Sequence, residues 1–330
     1  MTRTKCALER ALIATLTVCA CVSAYGAGAW KPERPVELVV ASSPGSGQDL
    51  TARVMQKIMQ EQGLVAAPVI VVNKPGGGGN IAYNYLKAHN GDGRFIATAT
   101  PTMLTNNILD PTQDNYTDFT ALSLLYNEYI GFAVNAASPI RSGRDLIERE
   151  KKNPGSTTFA FGTSLGNANH IGVALAMKAG GVDIRKLTIA IYKASAEAAI
   201  ALMGNHVDVV ATPISTFAPL IQSGRLRLIA VAAPQRLTGI FANVPTWKEQ
   251  GINAVAPSYR IMIGPRGMSP EQIAYWDGVF GQLARSGTWK KELEKNDWDG
   301  TFLAGADARK YLDEQYQQYQ VILGELGLAK

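Results

Sequence analysis

The sequence is poor in the residues that make disulfides, metal sites and membrane spans. Its three cysteines, Cys6, Cys19 and Cys21, all precede residue 30. From residue 30 onward a disulfide, a thiolate zinc site and a cysteine nucleophile are therefore excluded. No apolar stretch after Val22 reaches the about 20 residues that a membrane-spanning helix needs. A chain of 330 residues can instead bury large hydrophobic cores.

Histidine and clustered positive charge are also scarce. With three histidines, neither a histidine pair nor a carboxylate cluster has metal-binding spacing, and we predict no metal. Gly45-Ser46-Gly47 lacks the third glycine of a dinucleotide-binding loop, and we predict no cofactor. The net charge is +5, yet lysine and arginine form no block or stripe with interleaved aromatics. We therefore predict no nucleic-acid partner.

The N-terminus has the pattern of an export signal. A basic start precedes an apolar run over residues 11–22, and the small residues at 27–29 resemble a cleavage site. We predict that residues 1–29 are a signal peptide and that the mature protein begins at Trp30. In an alternative interpretation Cys21 closes a lipobox and carries a lipid, although a valine stands where that motif favours leucine.

Short β-branched runs alternate with amphipathic helical stretches along the rest of the chain, which is typical of an α/β fold. The pattern restarts after a strand at Gly131–Asn135, and a late strand at Ile261–Ile263 carries the chain back. We predict two α/β lobes joined by a hinge of crossing strands. Lobe 1 would comprise residues 30–130 and 256–330, and lobe 2 residues 131–255. Other predicted elements are strands Val36–Val40, Val69–Val72 and Phe95–Thr98, a helix Ser195–Met203, and two closing helices around residues 273–283 and 312–323.

Three loops rich in glycine and hydroxyl groups each follow a predicted strand and precede a predicted helix. They cover residues 42–49, 75–80 and 162–169. The first turn of a helix has unpaired N–H groups and the positive end of the helix dipole, so this position favours anions. A single loop of this kind is more often only a helix cap. Three of them in two lobes predict a carboxylate site, since ligands of open α/β sheets bind at the carboxyl ends of strands.

Four motifs occur in the order and spacing of one family. They are Pro44–Arg53, Val72–Ile81, Gly162–Ser164 with His170, and Val244–Gly251. Together they resemble the signatures of the substrate-binding receptors of tripartite tricarboxylate transporters, also called Bug proteins. The resemblance runs from about Pro35 to the C-terminus.

The resemblance implies a periplasmic solute-binding protein of the type II, or Venus-flytrap, architecture that performs no catalysis. Such a receptor would close on a small carboxylate and deliver it to one large and one small integral membrane subunit. We expect a di- or tricarboxylate, with an aromatic carboxylate as the alternative, and a monomeric protein.

The resemblance also implies which residues contact the ligand. Carried over by position, the contacts would come from Ser43, Ser46, Gly47 and Asn80 in lobe 1, and from Thr163, Ser164, Asn167 and Ser195 in lobe 2. Gln48 departs from the family pattern and would alter the lining of the pocket, as would Ser46, Asn167 and Ala194. Candidates for binding a distal carboxylate are Arg260, Lys193 and His170. For Asp49 and Arg53 we predict a structural ion pair.

Two other functions remain open at this point. Gly162–Gly166 satisfies the G-x-S-x-G pattern of an α/β-hydrolase with Ser164 as nucleophile. That triad needs a histidine in a loop near the chain end, and only His170 and His206 follow Ser164. The second alternative is a ligand-binding sensor for a membrane kinase, which would have the same binding site.

Overall fold

The computed structural model describes residues 30–221 and 223–330. The predicted signal peptide and the alternative lipid site at Cys21 lie outside these residues. Within the described part of the chain, no helix combines the length and the apolar character needed to cross a membrane. Residues from Pro32 to Lys330 form one compact unit.

The first sheet has the strand order β11-β4-β10-β3-β1-β2. Strand β1 pairs in parallel with both β2 and β3, whereas β10 pairs antiparallel with β3 and β4. Because strands from both ends of the sequence share this sheet, the chain must leave it and return. Its strands are β1 (Val36–Val40), β2 (Val69–Asn73), β3 (Phe95–Ala99), β4 (Phe119–Tyr126), β10 (Arg260–Pro265) and β11 (Leu303–Ala304).

The second sheet is built from the middle of the chain, in the order β7-β6-β8-β5-β9. Strand β6 pairs in parallel with β7 and β8, and β5 runs antiparallel to its neighbours β8 and β9. Its strands are β5 (Ile130–Asn135), β6 (Thr158–Gly162), β7 (Thr188–Tyr192), β8 (Val209–Pro213) and β9 (Leu226–Val231). The two mixed sheets with their helices confirm the predicted two-lobed α/β architecture.

The described helices are α1 (Gly47–Glu61), α2 (Asn80–Lys87), α3 (Thr102–Leu109), α4 (Gly143–Lys152), α5 (Ala168–Ala179), α6 (Ser195–Met203), α7 (Ala218–Ile221), α8 (Pro270–Arg285), α9 (Gly287–Lys295) and α10 (Gly305–Glu325). Both predicted closing helices are present as α8 and α10, but the prediction missed α9, which lies between them. Ser286 caps α9 by accepting a hydrogen bond from the Trp289 N–H, and the fully buried Trp289 holds this helix against the core.

Two short segments connect the sheets side by side. Backbone hydrogen bonds join the two segments to each other. Glu128 and Ser258 exchange two of them, and the Ile130 N–H donates to the Ala256 carbonyl. The first segment follows β4 and enters β5, and the second returns the chain to β10. This pairing gives the predicted hinge of crossing segments, while the lobe boundaries assigned from the sequence stay a prediction.

Candidate ligand-binding site

The loops singled out in the sequence lie at the carboxyl ends of parallel strands. In the first sheet, β1 ends at Val40 and β2 at Asn73, and in the second sheet β6 ends at Gly162 and β7 at Tyr192. The predicted site residues at the first edge are Ser43, Ser46, Gly47, Gln48, Asn80 and Arg260. Those at the second edge are Thr163, Ser164, Asn167 and Ser195.

The start of α1 offers free donors to an anion. The Ser46 side chain caps the helix by accepting from the Asp49 N–H at 3.3 Å, and its hydroxyl also contacts that of Ser42. Within the described residues, no group accepts a hydrogen bond from the N–H of Gly47 or Gln48. The Gln48 side chain accepts from the Thr98 hydroxyl at 3.2 Å. The exposed end of α1 can therefore donate backbone hydrogen bonds to a carboxylate.

Asp49 stabilises the loop before α1 through its side-chain hydrogen bonds. Its carboxylate accepts from the Arg53 side chain at 2.9 Å, the Gly45 N–H at 2.8 Å and the Asn73 amide at 3.0 Å. Burial raises the pKa of Asp49, but these hydrogen bonds outweigh it and hold the pKa below its ordinary value of 3.8. The predicted structural pair of Asp49 and Arg53 is thus confirmed.

Replacing Asp49 with asparagine is expected to lower the free energy of unfolding by about 1–2 kcal/mol at pH 7. The folded-state pKa lies below the unfolded-state pKa. The carboxylate's contribution is therefore complete above about pH 3.9 and is lost as the pH falls through the folded-state value. Urea unfolding at pH 7 and pH 3 should show a larger difference between the variant and the wild type at pH 7. The control Glu61→Gln, in an exposed pair of the same helix, should change neither value.

The glycine run before α2 brings backbone close to the first loop. Gly76 to Gly79 all have positive φ, between 57° and 121°, which other residues rarely adopt. A Cβ on Gly79 would lie 3.2 Å from that of Ala41, so the two loops are in contact. Asn80 bonds to Gln113, and its carbonyl oxygen accepts from Asn106 at 3.3 Å. The sequence reasoning missed Asn106, since nothing in the sequence places α3 beside this loop.

The loop after β6 is held by Asn167. Its amide oxygen accepts from the N–H groups of Asn169 and His170, both at 3.0 Å. Its amide nitrogen donates to the Gly162 carbonyl at 2.7 Å and the Thr163 hydroxyl at 2.6 Å. Both polar atoms of the buried Asn167 side chain are therefore occupied by the protein, which favours a shaping role over direct contact.

Thr163, Ser164 and Leu165 are exposed in this loop, and the first two carry hydroxyl groups. Thr163 has a φ of 79°, which is unusual for a β-branched residue and is a strain often found at functional sites. Among the described residues the Ser164 hydroxyl has no hydrogen-bond partner. It remains available to a ligand.

The start of α6 is the second cluster of free donors. Ala194 at its N-cap supplies no side-chain cap, and no described group accepts from the N–H of Ser195, Ala196 or Glu197. This helix end packs directly on β6. A Cβ on Gly162 would lie 2.3 Å from the Ser195 nitrogen, so only glycine allows the approach.

Two contacts near these loops link the second lobe to the first lobe and to the hinge. On one side, a Cβ on Gly166 would lie 2.8 Å from the Leu109 side chain at the end of α3. On the hinge side, the buried Glu128 carboxylate accepts at 3.2 Å from the N–H of Ser215, which follows the carboxyl end of β8. These contacts hold the second lobe close to both the first lobe and the hinge segment.

The three candidates for a distal carboxylate occupy different places. Lys193 is exposed, and Arg260 lies beside Gly47. His170 is buried, stacks on Phe161 and accepts the Gly166 N–H at its Nδ1. That bond and the stacking give His170 a local packing role.

A hydrolase triad is not assembled around Ser164. The Nδ1 atom of His170 accepts from a backbone N–H, and its ring shares no hydrogen bond with the Ser164 hydroxyl in the described chain. In the same part of the structure, no group of three histidine, cysteine, aspartate or glutamate side chains is placed to hold a metal ion.

Comparison with known proteins gives the family. The model of the tripartite tricarboxylate transporter family receptor, TctC, matches residues 51–328. The chain belongs to this family of periplasmic solute-binding receptors. A UPF0065 protein of Cupriavidus necator is 30% identical over 91% of this chain and 89% of its own. The protein BugT of Bordetella pertussis is 25% identical over 90% of each chain.

Solved structures share the fold over nearly their whole length. The Rhodopseudomonas palustris protein Rpa4515 with adipate has a TM-score of 0.77 at 24% identity, covering 90% of this chain and 99% of its own. MatC from the same organism, with bound malate, has a TM-score of 0.71 at 18% identity, covering 88% and 99%. At these identities the likeness concerns the fold.

Proposed function

We propose that this TctC-family receptor captures a small carboxylate between its lobes in the periplasm and delivers it to the membrane subunits of a tripartite transporter. The observation that carries the proposal is the set of unpaired backbone N–H groups at the starts of α1 and α6. These donors lie beyond the carboxyl ends of strands in the two sheets, and N-terminal helix turns favour anions. The exposed Ser164 hydroxyl adds a side-chain donor.

Binding would stabilise the closed form. A ligand that contacts both lobes adds interactions only when the edges are close together, so it shifts the equilibrium towards closure. The paired hinge segments around Glu128 and Ser258 can absorb this motion while the sheets stay rigid. We favour a di- or tricarboxylate, as the bound adipate and malate of the two structural relatives suggest. We expect the receptor to work as a monomer.

A thermal-shift screen tests the proposal. The mature protein is mixed with aliphatic dicarboxylates, citrate-like acids and aromatic acids, and its melting temperature is measured. A ligand at 100 times its Kd should raise the melting temperature by about 5 °C. Absence of a response to every class would count against a carboxylate receptor. Co-purification of the membrane subunits with the ligand-loaded protein tests delivery.

Replacing Ser164 with alanine should weaken carboxylate binding about tenfold, because one hydrogen bond to a charged group is lost. Isothermal titration measures this. The control is Ser223→Ala, another exposed serine of the second lobe. It precedes β9 at the opposite edge of the sheet and should leave the affinity unchanged. Ester hydrolysis that disappears in Ser164→Ala would instead support the hydrolase.

A further inference from the structure

Arg260 brings a positive charge to the start of α1. Strand β10 pairs antiparallel with β3, with Ile261 opposite Ala99, so Arg260 extends just beyond the carboxyl end of β3. A Cβ atom built on Gly47 would lie only 3.3 Å from the Nη2 atom of Arg260. The guanidinium group and the free N–H groups of Gly47 and Gln48 therefore share one corner of the site.

The position of the Arg260 side chain is defined by two contacts. Its Nη1 donates to the Tyr259 carbonyl at 3.1 Å, and its guanidinium carbon lies 5.8 Å from the centre of the Tyr126 ring. Tyr126 is itself fixed, because its hydroxyl bonds to that of Thr51 at 2.8 Å and its ring stacks on Trp298 at 4.2 Å. Such a guanidinium is already oriented before a ligand arrives.

Among the residues that the structure describes, no carboxylate lies within ion-pair distance of the Arg260 guanidinium. Within the described residues it makes no ion pair, its Nε is buried without a hydrogen bond, and its Nη2 makes none either. The Glu128 carboxylate interacts electrostatically with Arg260 but forms no hydrogen bond with it. Glu128 instead accepts a hydrogen bond from the Ser215 N–H. Burial raises the pKa of Glu128, and the nearby charge of Arg260 opposes this effect. A carboxylate supplied from outside would complete the arrangement.

We propose that Arg260 binds a second carboxylate of the ligand and makes the receptor selective for dicarboxylates over monocarboxylates of the same length. This rests on the proposed function, in which the first carboxylate binds the N–H groups at the opposite lobe. The planar guanidinium has several donors in a fixed geometry that matches a carboxylate, and such charge-assisted bonds are strong. A monocarboxylate would leave this half-buried charge unpaired when the lobes close.

The test uses matched ligand pairs on the whole mature protein. Dicarboxylates and monocarboxylates with the same number of carbons, for example adipate and hexanoate, are titrated by calorimetry, together with benzenedicarboxylates and benzoate. The wild type should prefer the dicarboxylate by about 30-fold or more in at least one pair. In Arg260→Gln the dicarboxylate should lose this advantage, while monocarboxylate binding changes by less than about threefold. Arg260→Lys should retain part of the preference.

Controls separate selectivity from folding. Arg266→Gln removes an exposed arginine just past the other end of β10 and should leave both affinities unchanged. If Arg260→Gln alone does not fold, the double variant Arg260→Gln/Glu128→Gln removes both charges and must show the same loss of preference. Equal wild-type affinity for both members of every pair, or equal weakening of both by Arg260→Gln, would refute the role of Arg260 and leave the proposed function intact. A wild type that binds no carboxylate would instead refute the proposed function.

Discussion

Gly162→Ala is expected to reduce carboxylate affinity about 100-fold and to lower the free energy of unfolding by about 1–3 kcal/mol. The new methyl carbon would lie 2.3 Å from the Ser195 nitrogen and 2.6 Å from the Ala194 carbonyl carbon. These are backbone atoms, so the start of α6 must move away from β6. The free N–H groups of Ser195, Ala196 and Glu197 move with it, and they are the donors that we propose for the ligand. Calorimetric titration and urea unfolding measure the two effects.

The same substitution elsewhere gives a matched control. Gly278 lies inside α8, and a Cβ there would have no heavy atom within 4 Å. Gly278→Ala should therefore raise the free energy of unfolding by about 0.5–1 kcal/mol through helix propensity and leave binding unchanged. A folded Gly162→Ala protein that binds carboxylates as tightly as the wild type would show that the position of α6 does not matter to the site.

Hydrophobic pattern was sufficient to predict much of the scaffold. The β-branched run at Val36–Val40 is a strand with the predicted bounds, and the helix Ser195–Met203 starts and ends as predicted. Both elements are defined by local signals, since the strand is a buried apolar run and Gly204 stops the helix. By contrast, β4 was not assigned. Its neighbours β10 and β11 come from the far end of the sequence, so no local turn signal predicts that pairing.

The site was predictable as a set of loops but not as a set of donors. Glycine and hydroxyl content indicated where the backbone would be open. Whether a side chain is free depends on partners distant in sequence, and Asn80 bonds to Gln113 and Asn106. Arg260 reaches Gly47 only because β10 returns beside β3. The family resemblance implied Asn80 as a ligand contact, and Arg260 was a candidate for a distal carboxylate. In the structure Asn80 is bonded to other side chains, whereas Arg260 has no ion-pair partner among the described residues.

Acid should destabilise the protein through His170, by roughly 3 kcal/mol between pH 6.5 and pH 4. Burial lowers the pKa of His170 from 6.5 to about 4. Between these values the unfolded chain binds a proton that the folded protein does not, so stability rises with pH and falls on acidification. At 1.36 kcal/mol per pH unit, the full interval gives this magnitude. Below about pH 4 both states are protonated and the loss is complete.

The structural reason lies in the loop of the second lobe. The Nδ1 atom of His170 accepts the Gly166 N–H at 3.0 Å, and a protonated ring has no lone pair there to accept it. Urea unfolding at several pH values should show this slope in the wild type and its absence in His170→Gln. Phe161→Leu, which removes the stacking ring but keeps the histidine, should lower stability at every pH and retain the slope. Parallel curves for the wild type and His170→Gln would mean that this histidine does not titrate on unfolding. Because Gly166 packs against Leu109 of the other lobe, the same protonation should also loosen this contact between the lobes.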